Sequence, residues 1–175
     1  MRRSGIETDE NLEREAVKWR KSLFSAFVFA KQGAVRSLRL QRNLRIHWTA
    51  GMAVLVWNLC VRPALWLVTL SIVTIAVVMS IELINTAIEH LTDLVTEGGY
   101  HEFAKWAKDA AAGAVLVSST GALAVAVLLG AATWKWHFYL FSMHNILGAI
   151  ESLITLVTLV LWGGISLGLE RRNRT

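Results

Sequence analysis

Four polar residues on one helical face form the chemical centre of this sequence. In ELINTAIEHLTD, residues 82–93, Glu82, Asn85, Glu89 and Asp93 follow a long apolar run, ALWLVTLSIVTIAVVMSI. At about 100° per residue, Asn85 lies near −60° from Glu82, Glu89 near −20° and Asp93 near +20°. Leu83, Ile84, Ala87 and Ile88 cover much of the remaining surface. Charge inside a membrane helix is unfavourable by at least about 2.5 kcal/mol near the centre on insertion scales. Asp93 and Glu89 are near enough to the helix end to snorkel, whereas Glu82 is about three turns deeper than Asp93. Desolvation raises a carboxylate's proton affinity, so Glu82 is a candidate general base. Glu89 suits a hard cation such as Mg²⁺, which prefers oxygen ligands and retains water. Lys108, followed by Asp109 at the start of the next apolar run, reads equally as a phosphate contact or an interfacial snorkel. Base, metal carboxylate, lysine and a basic amphipathic segment together favour phosphoryl transfer. A proton or cation path along the stripe is the rival, but residues 64–79 are almost wholly apolar apart from Thr69, Ser71 and Thr74.

The elements that must position these residues are membrane helices. Of 175 residues, 54% are hydrophobic, and there is a single proline. This composition predicts an all-α, polytopic membrane helix bundle rather than a soluble domain. Cys60, the only cysteine, excludes an intrachain disulfide. The net charge of +5 is concentrated before residue 46, so it marks a local basic segment and not a nucleic-acid surface. No cleavable signal peptide is expected, because no apolar core follows the basic residues of MRRSGIETDENLERE.

Residues 1–12 read as a polar, disordered start. From Leu12 to Arg45 apolar residues (Leu12, Ala16, Trp19, Leu23, Phe27, Ala30) recur at helical spacing between many Lys and Arg, which predicts an amphipathic helix lying in the interface. Four spans are expected, over about 46–61, 64–92, 110–134 and 145–169. Arg62-Pro63 makes the first turn, and the polar stretch LVTEGGYHEFAKWAKD forms a loop broken at Gly98-Gly99. Lys and Arg cluster in the N-terminal region, the 93–108 loop and the C-terminal tail. The positive-inside rule therefore places both termini and the 93–108 loop on the cytoplasmic side, so that the stripe meets the cytoplasmic boundary of the bilayer. Glu151 reads as a snorkelling or interhelical residue, and His137 and His144 as interfacial structure.

ELINTAIEHLTD, YHEFAKWAKDAAAGAVLV and FVFAKQGAVRSLRLQRNLRIHW, in this order, resemble the signature blocks of the small integral-membrane lipid kinases of prokaryotes, the diacylglycerol kinase and undecaprenol kinase family. The resemblance covers roughly residues 22–132. It implies a kinase domain over 13–134 and an additional helix with a basic tail over 135–175. It implies ATP-dependent phosphorylation of a membrane lipid alcohol, with Mg²⁺, in a homotrimer. Glu82 then matches the general base and Glu89 a metal ligand, with Asn85 and Asp93 supporting them. Lys108, Asp109, Tyr100, His101 and Phe29 match nucleotide contacts. Gln41 stands where the family has a second metal carboxylate; its carbonyl can still ligate Mg²⁺ at the ATP site, but without charge, which weakens metal binding or points to a non-catalytic scaffold. The loop also carries one more residue than the family pattern, at Gly98-Gly99 before Tyr100. ELINTAIE with RN..IH leans towards the undecaprenol-type members.

Overall fold

The computed structural model describes residues 25–135, 139 and 144–172, with side chains as far as residue 163. Residues 1–12, the amphipathic positions Leu12, Ala16, Trp19 and Leu23, and His137 lie outside the described residues. The described chain is all-helical: α1 (25–40), α2 (Arg42–Val61), α3 (Leu65–Val95), α4 (Glu102–Ala132) and α5 (Ile146–Arg172). Arg42–Val61, Leu65–Val95, Glu102–Ala132 and Ile146–Gly163 are each long and apolar enough to cross a membrane.

A single residue separates α1 from α2. Gln41 is extended, with φ −92° and ψ 118°, and its side chain does not cap the helix that follows. The Arg45 guanidinium donates to the carbonyl of Arg39, closing the last turn of α1 across the break. The first span therefore starts at Arg42, not near 46. Its 20 residues reach about 30 Å, the thickness of a bilayer's hydrocarbon core.

At the far end of α2, Arg62 takes the left-handed conformation (φ 49°) and its N–H returns to the Asn58 carbonyl at 2.9 Å. Pro63 then blocks continuation. Asn145, just before α5, donates its amide to the carbonyls of Arg62 (3.0 Å) and Pro63 (3.2 Å). The start of α5 is thus fastened to the α2–α3 turn. His144 stacks on Tyr139 with ring centroids 4.4 Å apart.

The loop between α3 and α4 is much shorter than the polar composition of LVTEGGYHEFAKWAKD predicts. α3 runs to Val95 and α4 starts at Glu102. The end of α3 is a reverse turn of Schellman type: Glu97 is left-handed (φ 49°), Gly98 has φ 77°, and the Gly98 N–H reaches the Asp93 carbonyl at 3.1 Å. The remaining polar residues form the first turns of α4, where Lys105 pairs with Asp109 one turn on, at 3.6 Å. Polarity here marked a helix that emerges from the apolar layer, not a break in the helix.

α3 is the central element. It packs against α4, and α2 and α5 pack against it and each other. A core of Leu38, Leu44 and Met79, flanked by Trp48, Ile75, Leu83 and Trp162, joins α1, α2, α3 and α5 near the acidic stripe. The Trp48 indole N–H donates to the Leu159 carbonyl at 3.2 Å. A Cβ on Gly163 would lie 2.3 Å from Trp48 Cζ2, so this contact requires glycine. Glu151 accepts a hydrogen bond from Thr69 at 3.1 Å, which makes it an interhelical partner between α3 and α5. By contrast, α4 buries only Ala111 and Leu129.

Gly163→Ala is expected to force Trp48 out of its seat and destabilise the bundle by about 1–3 kcal/mol. Denaturation of the purified protein in mixed micelles measures this, and an unchanged midpoint would show that the α2–α5 contact is loose.

Candidate functional site

Depth along α3 decides the character of each stripe residue. Counting from Leu65 at about 1.5 Å per residue, Glu82 lies some 26 Å along the helix. With an apolar layer about 30 Å thick, this is just inside the opposite rim. Asn85 falls at the rim, and Glu89 and Asp93 lie beyond it. The burial agrees: Glu82 is 2% exposed and Asn85 is buried, whereas Glu89 is half-buried and Asp93 exposed.

The stripe is linked within itself and to its neighbours. The Asn85 amide donates to Glu89 Oε1 at 2.9 Å, one turn away. This uses the amide nitrogen and leaves Asn85 Oδ1 buried with no partner. Asp93 forms an ion pair with Lys108, which joins the end of α3 to the start of α4. Glu82 meets a residue from another helix: His47 Nε2 on α2 is 3.2 Å from Glu82 Oε1. The separation is within hydrogen-bonding range, but the ring N–H is not aligned with the oxygen, so Oε1 has no well-directed donor.

Two open spaces lie along α3, neither of them lined by a residue of the stripe. On the apolar side, a cleft of about 270 Å³ between α2, α3 and α4 has His47 in its wall, with Gly51, Ile75, Val78, Ser119 and Ala126. On the polar side, a groove of about 430 Å³ is lined by Thr92, Thr96, Tyr100, His101 and Phe103. A further groove of about 550 Å³ separates α1 from α3, with Gly33, Arg36, Ser37, Thr86 and His90 among its walls.

The other residues singled out from the sequence are placed as follows. Tyr100 is 84% exposed in the short loop, and His101 precedes the first turn of α4 and faces Phe103 with centroids 5.8 Å apart. Phe29 projects outward from α1, and Asp109 turns to Lys105 rather than to Lys108. Gln41 sits at the α1–α2 break and makes no hydrogen bond to Glu89 among the described residues. Among the described residues, no three His, Cys, Asp or Glu side chains converge as a closed metal cage. The donors present suit a different arrangement: one carboxylate, Glu89, beside the unpartnered Asn85 Oδ1. That oxygen set fits Mg²⁺ held chiefly by substrate phosphates and water. Sequence reasoning assigned no role to His47. Its polar ring inside the apolar segment IHWTAGMAVLV was the available signal.

Among the described residues, fold and site together define an all-helical protein with four helices apolar enough to cross a membrane and an acidic stripe towards the end of its central helix. The chain belongs to the prokaryotic diacylglycerol kinase family, whose description matches residues 28–130. It is 39% identical over 104 residues to a diacylglycerol kinase of Synechocystis, a stretch covering 59% of this chain and 59% of that relative. It is 39% identical over 108 residues to an undecaprenol kinase of Bacillus subtilis, covering 61% of this chain and 85% of the relative. The chain thus spans about three fifths of the Synechocystis protein's length. No solved structure matches significantly. α5 lies outside the matched residues.

A buried carboxylate without an aligned donor is not retained for stability. Glu82→Gln, which keeps the volume and an acceptor oxygen, is expected to fold with stability within about 1 kcal/mol of wild type or above it. Lys108→Ala removes an exposed ion pair, so its loss is expected to be under about 1 kcal/mol. Denaturation midpoints of both variants check these values, and a large loss in either would make that residue a structural one.

Proposed function

We propose that this chain is an ATP-dependent lipid kinase that phosphorylates the hydroxyl of a membrane lipid, diacylglycerol or undecaprenol. The observation that carries the reading is Glu82: a buried carboxylate beside His47, which lines an apolar cleft, on the same helix as a carboxylate–amide pair and the aspartate that holds a lysine. A lipid alcohol entering sideways from the bilayer would lay its chain in the α2–α3–α4 cleft and bring its hydroxyl to Glu82. The nucleotide would occupy the polar side, over Glu89, Asn85 and Lys108, with the Tyr100–His101 loop beside it and Phe29 and Asp109 at the periphery.

In the reaction, Glu82 accepts the hydroxyl proton as the alcohol oxygen bonds to the γ-phosphorus. The bond from that phosphorus to the bridging oxygen breaks, and its electron pair leaves with ADP. Glu89 and Asn85 Oδ1 would hold Mg²⁺, which neutralises phosphate charge when bound. Lys108, positioned by Asp93, brings its ammonium to the phosphates. The distribution of Lys and Arg supports placing this face and both termini on the cytoplasmic side of the inner membrane. The largely unburied apolar surface of α4 supports assembly with further copies, in the homotrimer that the resemblance implies.

One observation favours a second reading. Gln41 supplies no carboxylate, and among the described residues its side chain makes no hydrogen bond to Glu89. A weakened or non-catalytic member that acts as a lipid-binding scaffold would have this feature.

The two readings separate in a γ-phosphate transfer assay with labelled ATP and micelles holding either lipid. Wild type is expected to phosphorylate one of them, and Glu82→Gln to lose about 10²–10⁴-fold. No transfer to either lipid by wild type, with transfer appearing in Gln41→Glu, would establish the scaffold. In an active wild type, Gln41→Glu is expected to lower the Mg²⁺ concentration needed for half-maximal rate.

A further inference from the structure

Glu82 has a near neighbour that its role as a base does not by itself require. His47 is one turn into α2 and meets Glu82 from that neighbouring helix. It is 25% exposed, and it faces two ways: Nε2 approaches Glu82 Oε1 at 3.2 Å, and the ring forms part of the wall of the apolar cleft. A carboxylate on a mobile side chain can present either oxygen at several angles. Abstraction of a proton needs one oxygen aimed at the hydroxyl to within a few tenths of an ångström.

We propose that His47 is the positioning residue for Glu82. With the carboxylate ionised, the ring nitrogen facing it carries the proton, because a carboxylate only accepts. A small rotation of the ring aligns Nε2–H with Oε1. This fixes the carboxylate plane and leaves Oε2 as the oxygen presented to the cleft. Hydrogen bonds of this kind are commonly poorly aligned before substrate binds and tighten in the reacting complex. The ring also bounds the cleft at its head, so a lipid filling the cleft presses against the group that orients the base. Binding of the correct lipid and alignment of Glu82 are thereby joined in one side chain.

The setting of His47 adds to the inference. Its sequence neighbour Trp48 is locked by the hydrogen bond to Leu159 and by Gly163 on α5. Thr49 donates to the Arg45 carbonyl at 2.9 Å, within the same turn. The backbone that carries His47 is therefore held from the α5 side, and α5, beyond the family-matched residues, takes part in holding it.

The inference rests on the lipid kinase reading, and the test separates the two. Turnover by wild type, His47→Ala and His47→Gln is measured in micelles with diacylglycerol or undecaprenol, varying ATP and lipid in turn. Gln places an amide N–H at a reach close to that of imidazole Nε2. The expected result is a fall in kcat of about 10²-fold for His47→Ala, with KM for ATP within about threefold of wild type. His47→Gln is expected to recover at least about tenfold of that loss. Elution as a single species in detergent, at the wild-type position, confirms that each variant folds. If His47→Ala does not fold, the comparison of His47→Gln with His47→Leu, which fills the space without an N–H, decides the matter on the same criterion. Equal kcat for wild type and His47→Ala, or no difference between the Gln variant and the variant lacking an N–H, overturns the role of His47 and leaves the kinase reading intact. Absence of turnover in wild type with both lipids overturns the kinase reading, and the inference with it.

Discussion

The structure depends on a carboxylate held in a place that water barely reaches. Glu82 is 2% exposed near the polar end of an apolar bundle, and its nearest donor, His47, is not aligned with it. Ionised groups in such surroundings are unfavourable unless fully paired. Other arrangements of the same helix would place this position in lipid or in water. The packing of α2 and α3, with α1 folded over their polar end, instead encloses Glu82 beside a cleft. Burial here keeps a carboxylate away from water, the setting that the proposed role as a base for a weakly acidic alcohol calls for.

Along α3 the surroundings change over a few turns, and the residue types change with them. Glu82 is sealed, Asn85 is buried but tied to Glu89, and Asp93 is open and paired with Lys108. One helix therefore carries a buried carboxylate, an amide–carboxylate pair and an exposed ion-paired aspartate in fixed register. The rise of about 1.5 Å per residue makes the spacing between these functions a property of chain length alone. The short turn at Glu97–Gly98 returns the chain so that Lys108 lies level with Asp93.

α5 is not an appendage to this arrangement. It is fastened at one end by Asn145 to the α2–α3 turn, in the middle by Glu151 to Thr69, and near its other end by Leu159 and Gly163 to Trp48. The last contact lies next to His47. A helix outside the family-matched residues thus buttresses the backbone that carries a site neighbour. It leaves α4 as the helix with the least burial, and so as the apolar surface most open to lipid or to a second copy.

Much of this was legible in the chain itself. The period of ELINTAIEHLTD determined that Glu82, Asn85, Glu89 and Asp93 share a face, because helix geometry leaves no freedom in that relation. Long apolar runs determined the spans, because only helices satisfy their backbone groups within lipid. Polarity misled where the helices leave the apolar layer: α2 starts at Arg42 and α4 at Glu102, because charged residues form helices readily outside the membrane. Contacts between helices were a different matter. That His47 faces Glu82, that Lys108 takes Asp93 while Asp109 turns to Lys105, and that Gly163 exists to seat Trp48 all depend on how each helix is rotated about its axis. Rotation is decided by side-chain packing summed over the whole bundle. No local stretch of sequence contains that sum, so the tertiary structure alone decided which residue stands beside the buried carboxylate.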